Sequence, residues 1–267
     1  MQAFYYYSFM QKALLVAAIL GVIMPCIGVT VVLKRLSMIG DALAHCSLAG
    51  VAIGILSGFN PVLGASVACV IAALSVEEIR KRLPAYSELS IAILMSGGIG
   101  IAGLLSSRIK SGVSFNSFLF GSIVAITDGE LISIIALSAI VLLIYFLLYK
   151  ELFYMALDEN SARLAGVPIK LVNAIFTVLT ALTVALASRT VGSLIVSSVM
   201  IIPVASAMRV ARSYKQTVLY SMLFGLISVL AGLIISFYLD LKPGATIVLI
   251  SVAILSLLLL FTKNRNK

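Results

Sequence analysis

The chain has 267 residues, of which 62% are hydrophobic and 11% charged, with a mean hydropathy of +1.19. A soluble domain is about 25% charged and about 45–50% apolar, so this composition excludes an ordinary cytoplasmic enzyme, a disordered chain and a disulfide-stapled secreted module. What remains is an all-α, polytopic membrane protein, with room for roughly eight to ten helices at about 20 residues per span.

In chain order, with boundaries good to about three residues, a first span covers about 12–33 and stops at Lys34-Arg35. A second, about 37–57, ends at Gly58-Phe59-Asn60-Pro61. A third, about 62–76, stops at Glu77-Glu78-Ile79-Arg80-Lys81-Arg82, and a fourth, about 88–106, leads to Arg108 and Lys110. A short apolar piece, 114–126, follows. After it come a span at about 130–149, the polar stretch 150–170, and spans at about 171–188, 192–208, 217–239 and 245–262. The expectation is nine transmembrane helices in a single transmembrane domain, 1–267. Asn173 and Arg189 are polar at span limits, as interfacial anchors or packing contacts.

The formal net charge of +9 comes from 19 Lys+Arg against 10 Asp+Glu. No basic run is interleaved with aromatics, so nucleic acid is not an expected partner, and the excess reads as a topology signal. With the N-terminus outside and the C-terminus inside, Lys34, Arg35, Arg80, Lys81, Arg82, Lys150, Arg163, Lys170, Arg209, Arg212, Lys215, Lys263, Arg265 and Lys267 lie inside. Only Lys12, Arg108, Lys110, Arg189 and Lys242 lie outside. A full crossing by 114–126 would reverse that bias. The segment is also too short to span comfortably, so it is expected to be a half-helix or re-entrant element at the outer mouth. Cys26, Cys46 and Cys69 all fall inside apolar runs, where packing is a better reading than a disulfide framework. The N-terminus lacks the features of a cleaved signal peptide, so the first run is read as a retained helix.

Most acids lie in loops or at span ends. Asp41 lies a turn inside the second span, and His45, the single histidine, follows four residues later. On a helix those positions share a face. Ionisable groups at membrane depth cost at least a few kcal/mol each and mark pathways or cavities. An Asp and a His suit a divalent metal such as Zn²⁺ or Mn²⁺, and an incomplete site suits an ion that must also leave. Spacing alone leaves two other readings open: a structural Asp–His pair and a proton relay. Cys46 is about 100° round the helix from His45 and makes a poor third ligand; a second copy of the chain could supply the missing ones. The polar run 156–168 has helical character ending at Gly166 and Pro168. It reads as a connecting loop or as a short cytoplasmic helix docking on a partner. No GxxxxGK[ST], GxSxG or HExxH motif occurs, so any ATP hydrolysis belongs to another chain.

At these residues the sequence resembles the permease subunits of bacterial zinc- and manganese-uptake ABC transporters. The resemblance is carried by LSMIGDALAHCSLAGVAIG (36–54), SFLFGSIVAIT (117–127), ALDENSARLAGVP (156–168), VGSLIVSSVMIIPVASAMRVA (191–211) and LKPGATIVLI (241–250). It covers nearly the whole chain in order. It implies a multi-pass protein of the bacterial cytoplasmic membrane that forms a homodimer. Its implied partners are a cytoplasmic ATPase dimer and an extracytoplasmic metal-binding protein. It implies that Asp41 and His45 line the metal path, and that Asp158, Glu159, Arg163 and Gly166 belong to the segment coupling to the ATPase, about 150–170. No permanently bound cofactor is implied. Metal is the substrate, and ATP acts through the partner. The runs 9–37 and 230–249 look closer to the zinc branch, so Zn²⁺ is the expected cargo, with Mn²⁺ or Fe²⁺ as the alternative. Two other classes compete. An intramembrane enzyme lacks an apparent nucleophile; an ion-coupled secondary transporter would need no ATPase.

Overall fold

The computed structural model describes residues 8–82, 86–109, 128–193 and 195–262. The element expected at 114–126, the motif at 117–127 and the basic tail lie outside these residues. Among the described residues all regular structure is helical: α1 Ser8–Leu33, α2 Ile39–Leu56, α3 Pro61–Arg82, α4 Ser87–Ser106, α5 Asp128–Leu147, α6 Tyr149–Leu157, α7 Glu159–Leu164, α8 Ile169–Ala187, a π-helical turn Ser188–Gly192, α9 Val196–Val210, α10 Tyr214–Leu239 and α11 Pro243–Thr262. Seven of these are long and apolar enough to cross a bilayer, or eight if α5 and α6, bent by 62°, form one span.

Three expectations change. The span expected at 192–208 is only α9, 15 residues, or about 22 Å at 1.5 Å per residue against a hydrocarbon core of about 30 Å. It starts late because α8 runs into the π turn and Gly192 takes φ 105°. The broken stretch is tolerated because α9 packs on α1, α10 and α11, which cover backbone that lipid could not satisfy. The third span does not stop at its charged cluster. α3 continues to Arg82, held by Arg80–Glu77 (3.0 Å) and Arg82–Glu78 (3.2 Å) along its own surface. The polar stretch after Lys150 begins as helix, the bent continuation α6.

Contacts fix the helix directions. Leu43 O accepts from the Cys69 thiol (3.3 Å), and Gly50 lies against Gly64, so α2 and α3 are antiparallel. Cys46 donates to Leu94 O (3.6 Å), and Leu48 clusters with Ala102, so α2 and α4 are parallel. Lys12 pairs with Asp128 at 2.5 Å near the starts of α1 and α5. The end of α4 and the start of α5 therefore lie at the same end of the bundle. The chain enters and leaves 110–127 on one side, as the basic-residue bias requires.

Glycines set the closest approaches. A Cβ on Gly50 would lie 2.3 Å from Gly64 O, and one on Gly98 2.9 Å from Cys46 N. α3 and α4 therefore clasp α2, as small residues allow between membrane helices. All three cysteines are free and buried.

Candidate metal path and cytoplasmic docking segment

α2 is one of the well-enclosed helices of the bundle. Ala42, Leu43, Ala44, Cys46 and Ser47 are buried, while Asp41 and His45 between them keep partial exposure. Together with Met38, 54% exposed, they form one stripe at i, i+3 and i+7. Helical spacing explains the grouping: the clasp by α3 and α4 takes the other faces. Among the described residues no hydrogen bond or salt bridge engages Asp41 or His45. The two are brought to one face but are not bonded to each other, which removes the structural Asp–His pair. No group of three or more His, Cys, Asp or Glu among the described residues could hold a metal ion. One chain thus offers two ligands.

Next to Asp41, Gly40 lets the first turn of α9 approach. A Cβ there would lie 2.7 Å from Ser197 Oγ and 2.8 Å from Met200 Cε. The helix break before α9 is thereby set against the turn that carries Asp41. Deeper along α2, Ser47 Oγ and Ser188 Oγ share a buried hydrogen bond of 2.8 Å at the π turn. A break at Ser188-Arg189 is legible in sequence; this side-chain bond is not, since its partners lie 141 positions apart.

At one end of the bundle, α6 and α7 form an elbow. Leu152 and Met155 anchor α6, and Ala162 anchors α7. Asp158 caps α7, accepting from Ser161 Oγ (2.5 Å), Ser161 N (2.9 Å) and Asn160 N (3.3 Å). The Ser161 hydroxyl first, then these amides, hold its carboxyl below the usual carboxylate range. The exit of α7 is closed by two bonds, Gly166 N to Arg163 O and Val167 N to Ala162 O, both 3.1 Å. That pattern needs a left-handed residue at its centre, and Gly166 supplies it at φ 84°. Asp158 and Gly166 therefore shape the segment, while Glu159 and Arg163 are displayed on it. Leu164, 90% exposed, and Leu157, 70% exposed, protrude beside them. Large apolar residues displayed at an elbow suit contact with another protein.

Beside the elbow lies a groove of about 910 Å³, lined by Glu77, Arg80 and Lys81 of α3, by Glu159 and Arg163, and by Lys170 and Asn173 of α8. Below it Lys34, in the α1–α2 turn, donates to Asn173 Oδ1 and lies 5.9 Å from the centre of the Phe176 ring. Burial, then Arg80, push the Lys34 ammonium down to about 8, against weaker support from Glu159 and Glu77. Sequence reasoning missed this pair, whose members lie 139 positions apart.

A bundle of apolar helices long enough to cross a bilayer, with an unbonded ionisable stripe on one of them, is the fold of a multi-pass membrane protein. The chain belongs to the ABC 3 transport family, which matches residues 6–262. It is thus a permease of the ABC-transporter type, not itself catalytic, in the bacterial cell membrane. A protein of Treponema pallidum named "Probable metal transport system membrane protein" is 33% identical over 96% of this chain and 97% of its own length. The manganese transport system membrane protein MntC of Listeria monocytogenes is 29% identical over 97% and 93%. The solved structure described as PsaBC from Streptococcus pneumoniae in complex with Fab superposes with a TM-score of 0.87. It is 27% identical and covers 97% of this chain and 93% of its own.

Proposed function

We propose that this permease imports a divalent transition metal, and that Asp41 and His45 line the ion's path. The observation that carries the reading is the stripe itself: the carboxylate and the imidazole of α2 have no partner among the described residues, and both keep partial exposure. An unpaired ionisable side chain at membrane depth is stable only beside water, a ligand or another chain. Asp41 would act as the anionic ligand and His45 as a neutral imidazole ligand.

Two ligands do not hold a divalent ion. A second copy of the chain, placed with its own stripe opposite, brings the set to two carboxylates and two imidazoles. The open space beside Gly97, Gly100 and Gly103 on α4 would let another helix approach closely. The elbow of α6 and α7 is where a cytoplasmic ATPase dimer would dock, with Leu157 and Leu164 as its apolar contacts. An extracytoplasmic binding protein would deliver the ion.

Zn²⁺, favoured by the sequence runs at 9–37 and 230–249, has no specific support among the named relatives. Mn²⁺ is supported at least as well, by the name of the Listeria protein. An oxygen and nitrogen donor set without thiolate also suits the harder ion, since the Cys46 and Cys69 thiols are turned to backbone carbonyls. We therefore place Mn²⁺ first and Zn²⁺ second. The test is metal uptake into proteoliposomes holding the permease, its ATPase and the binding protein, with Mn²⁺ and Zn²⁺ in competition. ATP-dependent Mn²⁺ uptake is expected. Uptake driven by a pH gradient without the ATPase would contradict the reading.

A further inference from the structure

Lys34 and Asn173 take part neither in the stripe nor in the elbow, yet they lie between the two. Lys34 is half-buried, and desolvating even part of an ammonium is costly, so its inward bond to a buried side chain calls for a reason. Asn173 is 6% exposed, and its oxygen accepts from Lys34 across the gap between α8 and the α1–α2 turn. We propose that this pair is the positioning contact through which movement of the elbow reaches the helix bearing Asp41 and His45. The proposal rests on the reading of the elbow as the ATPase docking segment.

The links on either side are short and stiff. α7 passes into α8 through Gly166, Val167 and Pro168, closed by Val167 N to Ala162 O and Ile169 N to Val167 O (2.8 Å). Asn173 then stands on the second turn of α8. On the other side, Lys34 sits in a tight turn held by Lys34 N to Thr30 O (3.0 Å) and Leu36 N to Val31 O (2.9 Å). Arg35 takes φ 58° there. Ile39 N to Leu36 O (2.9 Å) ties that turn to the start of α2. Asp41 follows within the first turn of the same helix. A displacement of α8 at Asn173 thus pulls on the base of α2 by one charge-assisted hydrogen bond. Glu77 and Arg80 of α3 and Glu159 of α7 surround the ammonium electrostatically, so the pair also senses where α7 stands.

The test uses the full permease with its ATPase and binding protein in proteoliposomes, reading metal imported per ATP hydrolysed. Asn173→Ala and Lys34→Met should each lower that ratio by about tenfold, with ATP hydrolysis within about twofold of wild type. The double variant should be no worse than either single one, because the two side chains act as a unit. Asn173→Asp, which keeps the acceptor, should restore the ratio. The proposal is overturned if the single variants keep the wild-type ratio, if their losses add, or if uptake and hydrolysis fall together with no rescue by Asn173→Asp. If wild type imports no metal, the functional reading fails instead, and the two failures are told apart by that control.

Discussion

Two polar sets sit a few residues apart at the junction of α1 and α2, and they are treated oppositely. Lys34 is folded inward, bonded to Asn173 and set beside the Phe176 ring. Asp41 and His45, half-buried as Lys34 is, are bonded to nothing within the described chain. Both sets cost free energy in or near a bilayer. The first is satisfied internally; the second, in the function proposed above, is left for the ion. Internal satisfaction, more than charge itself, separates a mechanical contact from a ligand position.

The largest effect that would sharpen this contrast is loss of transport. Asp41→Ala and His45→Ala should each reduce metal uptake by about a hundredfold or more, since disturbing even the outer partners of a metal site costs tenfold to a hundredfold. Detergent-extracted variants should still assemble with the ATPase. Equal uptake by both variants and wild type would dissolve the contrast.

A smaller effect is expected from pH. Lys34 ordinarily titrates at 10.5 and here is pushed down to about 8. Between those values the unfolded chain binds more protons than the folded one, so stability to denaturation should rise with pH there. Over the same window the Lys34–Asn173 bond loses its charge assistance, and import per ATP should fall as pH passes about 8. In Lys34→Arg, which stays protonated, that fall should vanish. A fall unchanged in Lys34→Arg would assign it to other groups, among them Glu77, Arg80 and Glu159 around the ammonium.

The smallest effects concern the elbow. Gly166→Ala forces a side chain into a left-handed conformation, at about 1–2 kcal/mol, and should loosen α7 without touching the stripe. Hydrogen exchange at Val167 and Gly166 should quicken, with metal binding unchanged. For Asp158 the sign is that of a depressed carboxyl. Its cap is intact above the ordinary carboxylate range and is lost as pH falls through its own lowered value. Exchange at Asn160 and Ser161 should respond in that order, and Asp158→Asn should flatten the response.

The sequence alone points to the stripe because charge is scarce: one histidine and one acid placed a turn inside a span stand out where little else is polar. It reached Asp158 and Gly166 because helix ends have local chemical signatures. It places a break at Ser188-Arg189 but starts the next span at about 192, because neither the π turn nor the left-handed Gly192 has a hydropathy signature that would delay the helix to Val196. It stopped α3 early by reading Glu77–Arg82 as a loop, when those side chains pair along the helix surface. The Lys34–Asn173 bond was out of reach, since nothing local in either segment names a partner on another helix.

The central claim is that two stripes, one from each of two copies, hold the ion. Manganese binding to the purified permease, followed by the loss of the free Mn²⁺ resonance signal, tests it most directly. The account predicts one bound ion per two chains, and no saturable binding in either Asp41→Ala or His45→Ala. Undiminished binding by both variants, at the same stoichiometry, would contradict it.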